Sequence, residues 1–166
     1  MQNFQEFLEN SLQQNIKKLV PLTGGASADI NRIILENNNE LIVRRSLSKE
    51  QSVMAIPKKL EAKIQRIVRS NDAPVPEIIF EFSEDEDIGE GYVMESIPGE
   101  TIPRKILRDD KYKNVRSKLS FEIGRSLATI HQTKLDELTD LDSVTFEESL
   151  KKLYLVYSSF CLLYTS

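Results

Sequence analysis

The chain has 166 residues, 40% apolar and 29% charged, and 22 Lys and Arg against 26 Asp and Glu leave a net charge of −4. That is an ordinary globular composition, which excludes whole-chain disorder, and a domain of about this length folds without disulfides. Mild acidity gives no support to a nucleic-acid face, no apolar run approaches the ~20 residues of a bilayer span, the polar start MQNFQEFLEN is not a signal peptide, and a single Cys excludes a disulfide framework. A cytoplasmic globular domain with no membrane or nucleic-acid partner is expected.

Phe4, Phe7, Leu8, Leu12 and Ile16 recur at helical spacing, so a helix is expected over 4–16. A short apolar stretch, Leu19 to Leu22, precedes the small-residue cluster TGGASAD. The runs Ile30–Leu35 and Leu41–Val43 flank three Asn residues, a hairpin signal. Leu60, Ile64, Ile67 and Val68 form a helical stripe after Pro57, and APVP then makes an extended connector. Ile78–Phe82 and Tyr92–Ile97 read as two further strands around an acidic loop. The five carboxylates of that loop do not follow the EF-hand ligand spacing, so it reads as a solvated tip. Helices are expected over 112–133 and 145–157, the second with Glu147 and Glu148 near its start. The order helix, three strands, helix, two strands, helices indicates an α+β fold, with a lobe boundary at Ile97-Pro98-Gly99.

Five segments in this order, LTGGASADINRI, LIVRR, a Glu-bearing helix with APVP, GYVMESIPGE and LATIH, resemble the aminoglycoside phosphotransferase/choline kinase family of small-molecule kinases over residues 19–135. The resemblance implies a protein-kinase-like N-terminal lobe over 1–97, an antiparallel sheet of about five strands with an inserted helix. Residues 98–160 would be the hinge exit and the first helices of an incomplete C-terminal lobe. It implies an ATP-dependent phosphotransferase that acts on a hydroxyl of a small acceptor and uses Mg²⁺.

Each segment then takes an implied role. Gly24, Gly25 and Ser27 would cover the nucleotide phosphates, since small residues let backbone N–H groups approach an anion; by themselves they also suit a tight turn. Arg44 would hold the α- and β-phosphates where the family has Lys, with Glu61 on the following helix as its partner. Strand alternation sends Arg44 and Arg45 to opposite faces, so only one can face a nucleotide. Without the resemblance, Glu61 reads as a surface residue among Lys58, Lys59 and Lys63. By resemblance, the Glu95 carbonyl and the Ile97 amide would bind adenine, with Met94 near the ring, which is consistent with Pro98 having no N–H to offer. His131, the only His, is expected to be structural.

No catalytic residue is assigned. The family's His-Gly-Asp segment with its Asn, and the later metal-binding Asp, do not occur, so Mg²⁺ ligands are expected outside this sequence and the chain alone is expected to be inactive. The alternative is a non-catalytic kinase-like module that binds a nucleotide or a partner. The ending Cys161-Leu162-Leu163-Tyr164-Thr165-Ser166 is what a transposase adaptor of sequencing libraries encodes, so residues 161–166 are expected to be non-native. Neither the acceptor nor the oligomeric state follows from the sequence.

Overall fold

The computed structural model describes residues 4–22, 29–47, 56–83, 87–134, 136 and 145–163, with side chains to residue 158. These divide into two compact units, Met1–Thr133 and Lys134–Ser166.

In the first unit, α1 (Phe4–Leu12) leads into β1 (Ile16–Pro21), β2 (Asp29–Leu35) and β3 (Glu40–Ser46). Then α2 (Lys58–Ser70), β4 (Ile78–Ser83) and β5 (Glu90–Glu95) follow. All strand pairs are antiparallel, in the order β1-β2-β3-β5-β4. This is the five-stranded α+β arrangement expected. The helical spacing of α1 overreaches: Gln13 takes a left-handed φ of 53° and stops the helix, and Ile16 opens β1 opposite Leu35. Pro21 ends β1, an edge strand where a missing N–H costs no ladder bond. In the β2–β3 turn Asn38 adopts φ 63°, and the Leu35 N–H donates to the Asn39 carbonyl. The last strand runs to Glu95, not Ile97.

The sheet is buried on both faces. Leu8 of α1 is fully buried with Ile33, Val43, Phe82 and Val93, and the Phe7 ring meets Phe82 edge-on at 5.2 Å. Beneath α2, a smaller core joins Ala62, Ile78 and Tyr92, with Met94 against it. Alternation alone would put Ile78, Phe80 and Phe82 on one face. An irregularity between Ile78 and Phe80 instead turns Ile78 to the α2 side and the two Phe to the α1 side.

Beyond β5 the chain has no regular structure until α3 (Pro103–Arg108). A 3-10 turn at Asp110–Tyr112 leads into α4 (Lys113–His131). Arg116 fastens this segment by donating to the carbonyls of Ile106 and Asp109. None of the side chains on α4 is buried among the described residues, although its apolar stripe is present.

The second unit contains α5 (Phe146–Leu163). Thr145 and Glu148 close a reciprocal cap at its start: the Thr145 N–H and hydroxyl both donate to Glu148 Oε2, and Thr145 Oγ1 accepts from the Glu148 N–H. Among the described residues, no helix is long and apolar enough to cross a membrane.

Candidate functional site

The site grows from the register of two central strands. Arg44 of β3 stands opposite Tyr92 of β5, and Ile42 opposite Met94. The two-residue period puts Arg44, Tyr92 and Met94 on the face that α2 covers. Arg45 goes to the other face, where Asp29 Oδ2 lies 2.7 Å from its Nε and its guanidinium sits over the Phe4 ring at 3.6 Å. Arg45 is therefore occupied in holding α1 and β2, and Arg44 is the arginine available on the α2 side.

Glu61, in the first turn of α2, meets three groups. Arg44 Nε lies 3.1 Å from its Oε2, Lys58 Nζ lies 2.8 Å from its Oε1, and the Tyr92 hydroxyl donates to Oε2 at 3.3 Å. Arg44 Nε is close enough for an ion pair but makes no directed hydrogen bond, whereas Lys58 makes one. Burial first, and then the negative charge of Glu61, push the Tyr92 phenol up to about 12; the Arg44 cation works against that shift. The phenol thus stays a donor to the carboxylate.

A cleft of about 390 Å³ opens beside this cluster. Arg44, Glu61 and Tyr92 make its polar side, and Ile64, Val68, Val75 and Ile130 give it apolar walls. Gln65 also lines it and fixes the neighbouring geometry by donating to the Pro76 carbonyl at 2.7 Å and to Met94 Sδ at 3.8 Å. A larger hollow of about 510 Å³ lies along α5, but Leu150, Lys151, Tyr154 and Leu155 line it on one helix with no converging polar groups.

The segment after β5 is open. The Glu95 N–H donates to the Glu77 carbonyl, and Glu95 Oε2 accepts from the Glu77 N–H. Ile97 is 56% exposed, and its N–H has no partner among the described residues. Gly24, Gly25 and Ser27 lie outside the described residues. His131 is exposed at the end of α4.

The structure therefore brings Arg44, Glu61 and Met94 to one face, with Glu95 and Ile97 at the end of the adjoining strand. Sequence reading did not single out Lys58 and Tyr92. Lys58 entered only as a neighbour of Glu61, and it is 3% exposed. Two signals were there: Lys58 precedes Glu61 by one helical turn, and Tyr92 shares the strand period of Met94.

The family model described as "Phosphotransferase enzyme family" matches residues 18–152. The chain belongs to this family. The match begins within β1, so α1 lies before it although Leu8 sits in the same core. No curated protein matches the chain. Phosphotransferases move a highly charged group, and the Arg44–Glu61–Lys58 cluster, with two cations against one carboxylate, has the sign such a ligand requires. Among the described residues, no group of three or more His, Cys, Asp or Glu side chains could hold a metal ion.

Proposed function

We propose that this chain is the nucleotide-binding part of an ATP-dependent phosphotransferase of the aminoglycoside phosphotransferase type, whose acceptor is a hydroxyl of a small molecule. The observation that carries the reading is the Arg44–Glu61 pair, held at 3.1 Å between a central strand and the helix that covers it. In a kinase, a cation at that point neutralises nucleotide phosphates and a helix carboxylate orients it. Arg44 takes that role here, and its fork offers several donors to phosphate oxygens.

The remaining assignments rest on the family resemblance. Residues 1–97 act as the nucleotide lobe and 98–160 as the hinge exit and first helices of the second lobe. Adenine is held by the Glu95 carbonyl and the free Ile97 N–H, with Met94 beside the ring. Gly24, Gly25 and Ser27 cover the phosphates. Mg²⁺ would supply neutralisation of phosphate charge, but the described residues do not fit a Mg²⁺ site, and no step is assigned to it. A cytoplasmic location, where ATP is available, belongs to the same reading.

Titration of the 166-residue chain with ATP tests this proposal. ATP binding that is weakened by Arg44→Ala is expected, with no phosphoryl transfer to any hydroxyl acceptor by this chain alone. A folded chain that does not bind ATP sinks the reading, and turnover by the chain refutes the expectation of inactivity.

A further inference from the structure

The carboxylate of Glu61 has more partners than a simple strand–helix pair needs. Lys58, on the same helix, is buried to 3% exposure, and its ammonium donates to Oε1 at 2.8 Å. From β5, the buried Tyr92 donates its hydroxyl to Oε2 at 3.3 Å. Arg44 Nε, itself buried, comes within 3.1 Å of Oε2 as an ion pair without the alignment of a hydrogen bond. Both carboxylate oxygens are thus fixed by other groups, and Arg44 is attracted by charge alone.

We propose that Lys58 and Tyr92 are positioning residues that clamp Glu61, so that Arg44 is steered by the carboxylate while the terminal N–H groups of its guanidinium, not the buried Nε–H, stay available to an anionic ligand. The ligand class is the polyphosphate of a nucleoside triphosphate, which deepens the phosphotransferase reading and rests on it. The charge count agrees: Arg44 and Lys58 against Glu61 leave one net positive charge beside the cleft. Without Lys58, Glu61 Oε1 loses its donor. The carboxylate then turns to the nearest remaining N–H groups, those of Arg44, because a half-buried carboxylate oxygen left without a partner is costly. Donors held by Glu61 are no longer offered to phosphate. Lys58 touches no ligand in this scheme; it acts through Glu61 and Arg44.

Two measurements test the clamp, one of them independent of any ligand. Lys58→Met keeps the aliphatic stem and removes the ammonium. In the unliganded 166-residue chain, the Arg44 Nε–H resonance is expected to move downfield in this variant and to exchange more slowly with solvent, as a new hydrogen bond to Glu61 requires. In calorimetric titrations, the wild-type chain is expected to bind ATP more tightly than adenosine. Lys58→Met is expected to lower ATP affinity about tenfold, the worth of roughly one charge-assisted hydrogen bond, with adenosine affinity unchanged. Lys58→Arg restores most of the loss. Tyr92→Phe frees Oε2 without losing the ring and is read the same way, which keeps the test open where Lys58→Met does not fold. An Arg44 Nε–H that is unchanged in a folded variant overturns the clamp, whatever happens to ATP. A wild-type chain that binds ATP no better than adenosine overturns the phosphate-binding reading instead.

Discussion

Tyr92 donates its hydroxyl to Glu61 Oε2 at 3.3 Å, which ties the central strand β5 to the first turn of α2. The contact has a pH signature. Burial and the Glu61 charge raise the folded-state phenol to about 12, whereas an unfolded tyrosine titrates near 10. A group whose folded pKa is raised favours the protonated native state. Its contribution is complete below pH ~10 and is lost as pH rises through ~12, by about 3 kcal/mol. Denaturant melts of the wild-type chain between pH 9 and 12 are expected to show this decline, and Tyr92→Phe to flatten it. Equal slopes in the two proteins would remove Tyr92 as the cause.

Arg44→Ala is expected to lower ATP affinity by at least about tenfold, with smaller changes for adenosine. Calorimetric titration at low and at high salt checks it. The wild-type ATP affinity falls with salt, as for any exposed cation–phosphate contact, and the variant loses most of that dependence. Arg45→Ala acts on the other face, through Asp29 and Phe4, and is expected to cost stability with little effect on the ATP-to-adenosine ratio.

Gly91 lies on β5 at the register position of Arg45, between β3 and β4. A Cβ there would sit 2.6 Å from the Arg44 carbonyl oxygen and 2.5 Å from Phe82 Cζ. The Phe ring can shift, but the strand backbone cannot do so without loss of the ladder. Gly91→Ala is therefore expected to destabilise by about 2 kcal/mol or more and to weaken ATP binding by moving Arg44. Thermal melts and the same titration measure both effects.

Leu8 is fully buried against the sheet although α1 lies before the family match. Leu8→Ala is expected to destabilise the chain by about 2–5 kcal/mol, the usual range for a buried leucine. A cost below ~1 kcal/mol would show that α1 is not part of the cooperative core.

The residues that were legible in advance are those whose chemistry is local or periodic. The Asn-rich turn, the stripe of α2 and the alternation that separates Arg44 from Arg45 depend on near neighbours in sequence. The end of α1 was less legible, because Ile16 fits the helical stripe by spacing, and only its long-range pairing with Leu35 makes it a strand residue. The burial of Lys58 was not legible for a related reason: its local surroundings are lysine-rich, and nothing local marks one of the three lysines as buried.

By itself, then, the amino-acid sequence determined the α+β order, the family resemblance and the placement of Arg44 and Arg45 on opposite faces, since a two-residue period separates adjacent side chains. The tertiary structure alone decided that Arg44 and Tyr92 reach Glu61, whereas the spacing of Lys58 one helical turn before it is local. Lys58, Tyr92 and Arg44 come from a helix and two strands whose register and docking bring them within 3.3 Å of one carboxylate. Such convergence depends on which strands pair and which helix face is buried, and no local pattern encodes either.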